Sequence, residues 1–213
     1  MEGIITKIET QKKNKNRVNV FIDEEYKFAC DEELVYRYKL AKGQKVDVNK
    51  IEEIAEEDNF IKGKNYAFRI IEKSYKTKSQ VVDKLKGRGY DDKVINKIIN
   101  LLEEYNLIDD RVYVKAYIKD NLSKQGKTKL LYNLKGKGIK EDIILDELYS
   151  ISDNSLEQAA YNAAEKKYKL LIKRETDSFK LKQKLSSFLL SRGYDYEIIK
   201  RVTIRLLEHQ EDE

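Results

Sequence analysis

The chain has no proline, no tryptophan, one cysteine, one histidine and one methionine in 213 residues. Each shortage closes off a class of protein. A single thiol, Cys30, cannot form an internal disulfide, so a disulfide-stapled secreted scaffold is excluded. One Cys and one His cannot assemble the ligand set of a zinc site. No Gly/Ser/Pro tract interrupts the sequence, so a flexible linker is not expected. No stretch approaches the roughly 20 apolar residues that cross a bilayer. The opening Met1-Glu2-Gly3-Ile4 lacks the basic segment and apolar run of a secretory signal. Together these point to the cytoplasm and away from a membrane.

Charged residues, by contrast, are abundant: 38% of the chain against 40% hydrophobic, with a formal net charge of +5 and a mean hydropathy of −0.71. Much of the surface must therefore be solvated, which suits a series of small units better than one compact sphere. The positive excess sits between residues 63 and 152, while residues 1–62 are weakly acidic and the remainder is nearly balanced. A polyanion could use that excess. A solvated charged face explains it as readily.

One phrase occurs three times. Leu85-Lys86-Gly87-Arg88-Gly89-Tyr90 recurs as Leu134-Lys135-Gly136-Lys137-Gly138-Ile139 and as Leu189-Leu190-Ser191-Arg192-Gly193-Tyr194. An aliphatic pair follows each copy at the same distance: Val94-Ile95, Ile143-Ile144 and Ile198-Ile199. Internal repetition on this scale means one supersecondary unit used several times. Each second glycine is expected just past a helix end, where a left-handed residue closes the turn at little cost. The following residue, Tyr90, Ile139 or Tyr194, is expected to plug the junction with the next helix.

Before the repeats, Val18, Val20 and Ile22 alternate with polar or outward residues, the period-two signal of a half-buried strand. Ile4–Ile8 and Tyr26–Ala29 supply flanking strands of a small antiparallel meander. A helix is expected from an Asp31 cap to a Gly43 stop, and another from an Asp47 cap. Glu56, Glu57 and Asp58 mark the boundary with the repeats. Thr77 and Gln80 form a capping box.

Catalytic chemistry finds little support. His209 lies in the charged tail, and Cys30 has no histidine near it in sequence. Asp91-Asp92 and Asp109-Asp110 stand at expected helix starts, where capping accounts for them. Gly87-x-Gly89 follows no strand and precedes no Gly-Lys-Ser/Thr, so it is no phosphate loop. No metal or cofactor is expected, and the protein is read as a non-enzyme. The better candidates are the cations around the repeat turns: Lys84, Lys86 and Arg88, then Lys135 and Lys137, then Lys184 and Arg192. Interleaved tyrosines (Tyr75, Tyr113, Tyr117, Tyr132) could stack bases, but their helical spacing reads mostly as core or half-buried packing.

Four segments carry a family resemblance: Thr77-x-x-x-Val81-x-x-Lys84-Leu85; the turn Arg88-Gly89-Tyr90-Asp91; Leu107-Ile108-Asp109-Asp110-x-x-Tyr113-x-x-x-Tyr117; and Gly126-x-x-x-Leu130-x-x-x-Leu134-x-x-Lys137-Gly138-Ile139. Over about Tyr66 to Leu207 the chain resembles the RecX family, regulatory proteins that act on the RecA recombinase. Gln80 stands where the family more often has Glu, and the third repeat is the most divergent. The N-terminal meander resembles an extension found in a subset of such proteins. The resemblance implies a mainly α fold, three tandem three-helix repeats in an elongated curved array behind a small β-meander plus helix. The expected divisions are 1–60, 61–109, 110–152 and 153–213.

The resemblance further implies a monomer that binds the groove of the RecA–DNA filament. There it would limit extension, ATPase and strand exchange, and so modulate recombinational repair and the SOS response. The rival reading is a direct DNA-binding protein, single- or double-stranded, whose repeats act like helix-turn-helix modules.

Overall fold

The computed structural model describes residues 2–208. Four strands come first: β1 (Glu2–Thr10), β2 (Arg17–Ile22), β3 (Glu25–Asp31) and, after helix α1 (Glu32–Arg37), β4 (Lys45–Asp47). They form one antiparallel sheet in the order β3-β2-β1-β4. Val18, Val20 and Ile22 are buried on alternate positions of β2, as their period requires. Asp23 and Glu24 both take positive φ (50° and 70°), which fits a tight β2–β3 hairpin. The meander thus gains a fourth strand that its sequence does not announce, because β4 has three residues and pairs only with the distant start of β1.

Nine more helices follow among the described residues: α2 (Val48–Lys73), α3 (Lys78–Lys86), α4 (Asp92–Glu104), α5 (Asp110–Asn121), α6 (Lys127–Lys135), α7 (Glu141–Tyr149), α8 (Asp153–Leu171), α9 (Ser178–Ser191) and α10 (Tyr196–Glu208). The described residues divide into two compact units, 2–74 with 81–107, and 75–80 with 108–208. In the first, α2 packs on α4 and on the sheet. In the second, α5, α6 and α7 pack together, as do α8, α9 and α10. The α5–α7 core holds Val114, Ile118, Leu130, Leu134, Ile139, Ile144 and Leu148, and the α8–α10 core holds Leu181, Leu185, Leu189, Ile198, Ile199 and Val202. Leu122 and Ile151 pack against both.

Local capping sets the helix starts. Asp31, Asp47, Asp91 and Asp109 each accept hydrogen bonds from first-turn amides, and Thr77 and Gln80 exchange reciprocal bonds of 3.2 Å. The carboxylate pairs are thereby engaged in helix geometry: Asp92 pairs with Lys86, and Asp110 accepts from the Lys78 amide.

Helix α1 ends at Arg37, six residues before the expected stop at Gly43. Lys39 takes the left-handed position (φ 50°), with Leu40 N–H bonding Val35 O and Lys39 N–H bonding Tyr36 O. Gly43 (φ 86°) instead turns the chain into β4, its N–H bonding Ile5 O at 2.7 Å.

Helix α2 runs without a break through residues 60 and 61, where the sequence reading sets a division. The three carboxylates at 56–58 serve three different elements. Glu56 pairs with Lys93 and Glu57 with Arg37. Asp58 is buried, accepting from the two terminal guanidinium nitrogens of Arg17 (2.9 and 3.1 Å), from the Asp31 amide and from Lys62. Burial disfavours its charge, but the Arg17 and Lys62 bonds outweigh that and hold the carboxyl below its ordinary 3.8. This pair fastens β2 to α2.

Candidate functional site

The repeated phrase closes α3, α6 and α9 by one hydrogen-bond pattern. Gly89, Gly138 and Gly193 have φ of 82°, 76° and 80°. Their N–H groups bond the carbonyls of Lys86, Lys135 and Leu190 at 2.9 Å. The next residues, Tyr90, Ile139 and Tyr194, reach back to Leu85, Leu134 and Leu189. This is the Schellman closure, with an apolar residue following the glycine. Ile139 and Tyr194 are buried, and Tyr90 is half-buried against Gly63 of α2. Desolvation pushes the Tyr90 and Tyr194 phenols up from their ordinary values, so both stay neutral at physiological pH.

The closure fixes the residue just before each glycine, and that residue is a cation every time. Arg88 lies over the Tyr66 ring at 4.7 Å from the centroid, Lys137 over Tyr117 at 5.4 Å, and Arg192 over Phe188 at 4.4 Å. Such contacts are attractive and orient the head group without neutralising it. None of the three has a carboxylate partner among the described residues.

The other candidate cations divide differently. Lys86 pairs with Asp92 (3.1 Å), Lys135 with Glu141 (2.7 Å) and Lys184 with Glu175 (2.9 Å). The Lys184 hydrogen bond draws the Glu175 carboxyl below its ordinary value. These three contribute little net field. Lys84 is exposed, with no carboxylate partner among the described residues. It stands five residues before its turn glycine and Lys184 nine before its own, so the two are not equivalent positions.

Two of the turns are also seats for a neighbouring segment. The Thr77 hydroxyl donates to the Lys137 carbonyl (2.8 Å), and Gly126 N–H and Thr128 N–H donate to the carbonyls of Arg192 (2.9 Å) and Gly193 (3.2 Å). A Cβ on Gly126 would run into the Gly193 carbonyl, and one on Gly138 into Ser79. The corresponding space at Gly89 is open. Arg88 and Gly89 are accordingly exposed, whereas Lys137 and Arg192 are half-buried.

Of the tyrosines, Tyr113 and Tyr117 are half-buried and stacked, with centroids 6.3 Å apart. Tyr75 and Tyr132 are not core residues. They are 76% and 72% exposed, Tyr132 because it lies opposite the Leu130–Leu134 stripe of α6. Cys30 is buried, and desolvation pushes its thiol up to about 11, which leaves it un-ionised and inert at neutral pH. His209 lies outside the described residues. No group of three or more metal-ligating side chains forms among the described residues, and no helix there is long and apolar enough to span a membrane.

Sequence reading missed one cationic cluster, formed by Lys124, Lys166, Lys167 and Arg192 around a groove beside α8. Its members are up to 68 residues apart (Lys124 and Arg192 touch). The Lys166-Lys167 pair above Ala159 and Ala163 at helical spacing was the one local signal.

Known proteins resemble this chain throughout its length. The family model for the regulatory protein RecX N-terminal domain matches residues 3–47, that for the first RecX three-helix domain residues 64–102, and that for the third residues 156–203. The regulatory protein RecX of Clostridium perfringens strain 13 is 47% identical over 208 residues, covering 98% of each chain. That of Clostridium tetani is 46% identical over 203 residues, covering 95% of this chain and 94% of the relative. Among solved structures, a crystal structure of regulatory protein RecX matches with a TM-score of 0.75 at 26% identity, covering 94% of this chain and 98% of that one. RecX from Lactobacillus salivarius matches with a TM-score of 0.65 at 27% identity, covering 71% and 97%.

Proposed function

The chain belongs to the RecX family of regulatory proteins, and from that premise we propose that it binds the RecA recombinase filament on DNA and restrains it. Filament extension, ATP hydrolysis and strand exchange would all be slowed by occupancy alone, with repair by recombination and the SOS response modulated downstream. The family resemblance supplies the partner. The supporting observation on this chain is the cation before each turn glycine, Arg88, Lys137 and Arg192, held on an aromatic ring and left without a carboxylate. An acidic protein groove or a phosphate backbone is the natural counterpart of such a set. Lys84 adds a fourth unpaired charge near the first turn. Lys86, Lys135 and Lys184 serve as rim residues, already engaged with Asp92, Glu141 and Glu175.

The test is the steady-state ATPase of RecA filaments on single-stranded DNA with this protein added at stoichiometric amounts. Inhibition that saturates near stoichiometry is expected. Unchanged hydrolysis at that ratio would reject the reading.

A further inference from the structure

Helix α8 carries a row of polar side chains one turn apart. Asn154, Gln158, Asn162 and Lys166 follow at four-residue intervals, and all four are exposed. The three carboxamides line a cleft of about 760 Å³, which Lys119 of α5 and Arg205 of α10 also border. The cleft runs into the groove of about 440 Å³ beside Lys166, the two sharing Ser123, Ala159 and Asn162. From Asn154 to Leu170 this surface follows about 24 Å of helix.

Its charge is of one sign. Lys119, Lys124, Lys166, Lys167, Arg192 and Arg205 border it without a carboxylate partner among the described residues. The one acid that lines it among those residues, Glu157, is bonded to Arg201 at 2.7 Å, and nearby Glu165 pairs with Lys169. Three of the cations are also held in place. Arg205 lies over the Tyr161 ring at 4.4 Å, and Arg192 and Lys167 share the Phe188 ring at 4.4 and 5.8 Å. Head groups oriented before a ligand arrives lower the ordering cost of binding it.

The carboxamides say what kind of chain could lie there. Each offers a donor and an acceptor, as a peptide unit does. Gln158 Nε2 donates to Asn162 Oδ1 at 2.9 Å, which orients both and leaves Gln158 Oε1 and Asn162 Nδ2 available. The Asn154 side chain has no partner among the described residues. Side chains one helical turn apart are spaced about 6 Å along the axis. Alternate residues of an extended polypeptide are spaced about 6.6 Å, so the two repeats nearly coincide over three carboxamides. A phosphodiester chain offers acceptors alone, and the carboxamide oxygens would face no donor on it.

We propose that cleft and groove together hold an extended acidic segment of a protein partner. Its main chain lies on the Asn154, Gln158 and Asn162 ladder, and its carboxylates meet the bordering cations. The length of the surface accommodates about seven extended residues. The site stands apart from the turn cations Arg88 and Lys137 and does not depend on the filament reading.

The test is fluorescence anisotropy of a labelled heptapeptide of alternating aspartate and threonine, titrated with the full chain across a salt series. Lys166→Gln with Lys167→Gln should weaken binding about tenfold at low salt and flatten its salt dependence, because two exposed charge contacts are lost. Asn154→Ala with Asn162→Ala should also weaken it about tenfold, at roughly threefold per hydrogen bond, and leave the salt dependence unchanged. Alanine at exposed helix positions favours the helix, so that pair keeps its fold. Lys12→Gln with Lys13→Gln removes two charges from the β1–β2 connection and should change affinity less than about twofold. The same peptide methylated on its backbone nitrogens keeps its charge, loses its N–H donors and should bind about tenfold more weakly.

A methylated peptide that binds as tightly as its parent would mean that charge alone is read, and would overturn the proposal. Equal losses in both lysine pairs, or no loss in the asparagine pair, would overturn it too. Oligothymidine of equal charge displacing the label at lower concentration than the unlabelled peptide would assign the surface to nucleic acid instead. The assay contains no recombinase, so its failure and that of the filament reading are separate.

Discussion

At the scale of single residues, glycine does two different jobs here, and they can be separated by substitution. Gly89 has φ of 82° and open space where a Cβ would go, so alanine there meets only backbone strain, about 1–2 kcal/mol. Gly126 has an ordinary φ of −80°, but its Cβ would collide with the backbone of Gly193 and Tyr194. Backbone on both sides cannot yield as a side-chain tip can, and overpacking of this kind costs about 3 kcal/mol. Gly126→Ala is therefore expected to lower the urea midpoint more than Gly89→Ala, with the slope of the transition unchanged. Equal midpoints would mean that the seat on the third turn adds nothing to stability.

Elements in this chain are fixed by local chemistry at their starts and by distant partners where local chemistry is weak. The caps at Asp31, Asp47, Thr77, Asp91 and Asp109 were legible because cap and amide lie two or three residues apart. The end of α1 was misplaced because a lysine, Lys39, holds the left-handed position that glycine usually takes. Asp58 was illegible for a related reason: its partner Arg17 lies 41 residues away.

That buried pair carries a prediction about α2 and the sheet. Asp58→Asn should destabilise the protein at pH 7 by about 3 kcal/mol, because Arg17 keeps its charge and loses its counter-ion. The native Asp58 carboxyl titrates below 3.8, so at acid pH the unfolded chain binds the extra proton. Its contribution is therefore full well above pH 3.8 and is lost as the pH falls through the depressed native value. Urea unfolding at pH 7 and pH 3 should show the gap between wild type and variant narrowing in acid. A gap that is constant or widens would deny Asp58 its charged role.

On the scale of the whole molecule, the threefold phrase was readable because it is architecture repeated at a fixed register. Which cations remain available was not. Lys86, Lys135 and Lys184 look equivalent to Arg88, Lys137 and Arg192 until their carboxylates appear six to nine residues away in the folded chain. The groove cations come from three separate segments, which no local pattern joins.

The sorting has a consequence for how the protein would grip a filament. Three turns that each make a modest contact, joined in one chain, act by linkage, since the first contact raises the effective concentration of the others. An exposed charge contact is worth about 0.7 kcal/mol, or roughly threefold in affinity. Arg88→Gln, Lys137→Gln and Arg192→Gln should then each raise the half-inhibitory concentration for filament ATPase about threefold. Separated sites contribute additively in free energy, so the triple variant should reach about thirtyfold. The control Lys86→Gln with Asp92→Asn should shift it little, because it removes an ion pair without changing the net charge. If one single variant reproduces the triple, a single turn carries the interaction and the other two are architecture alone.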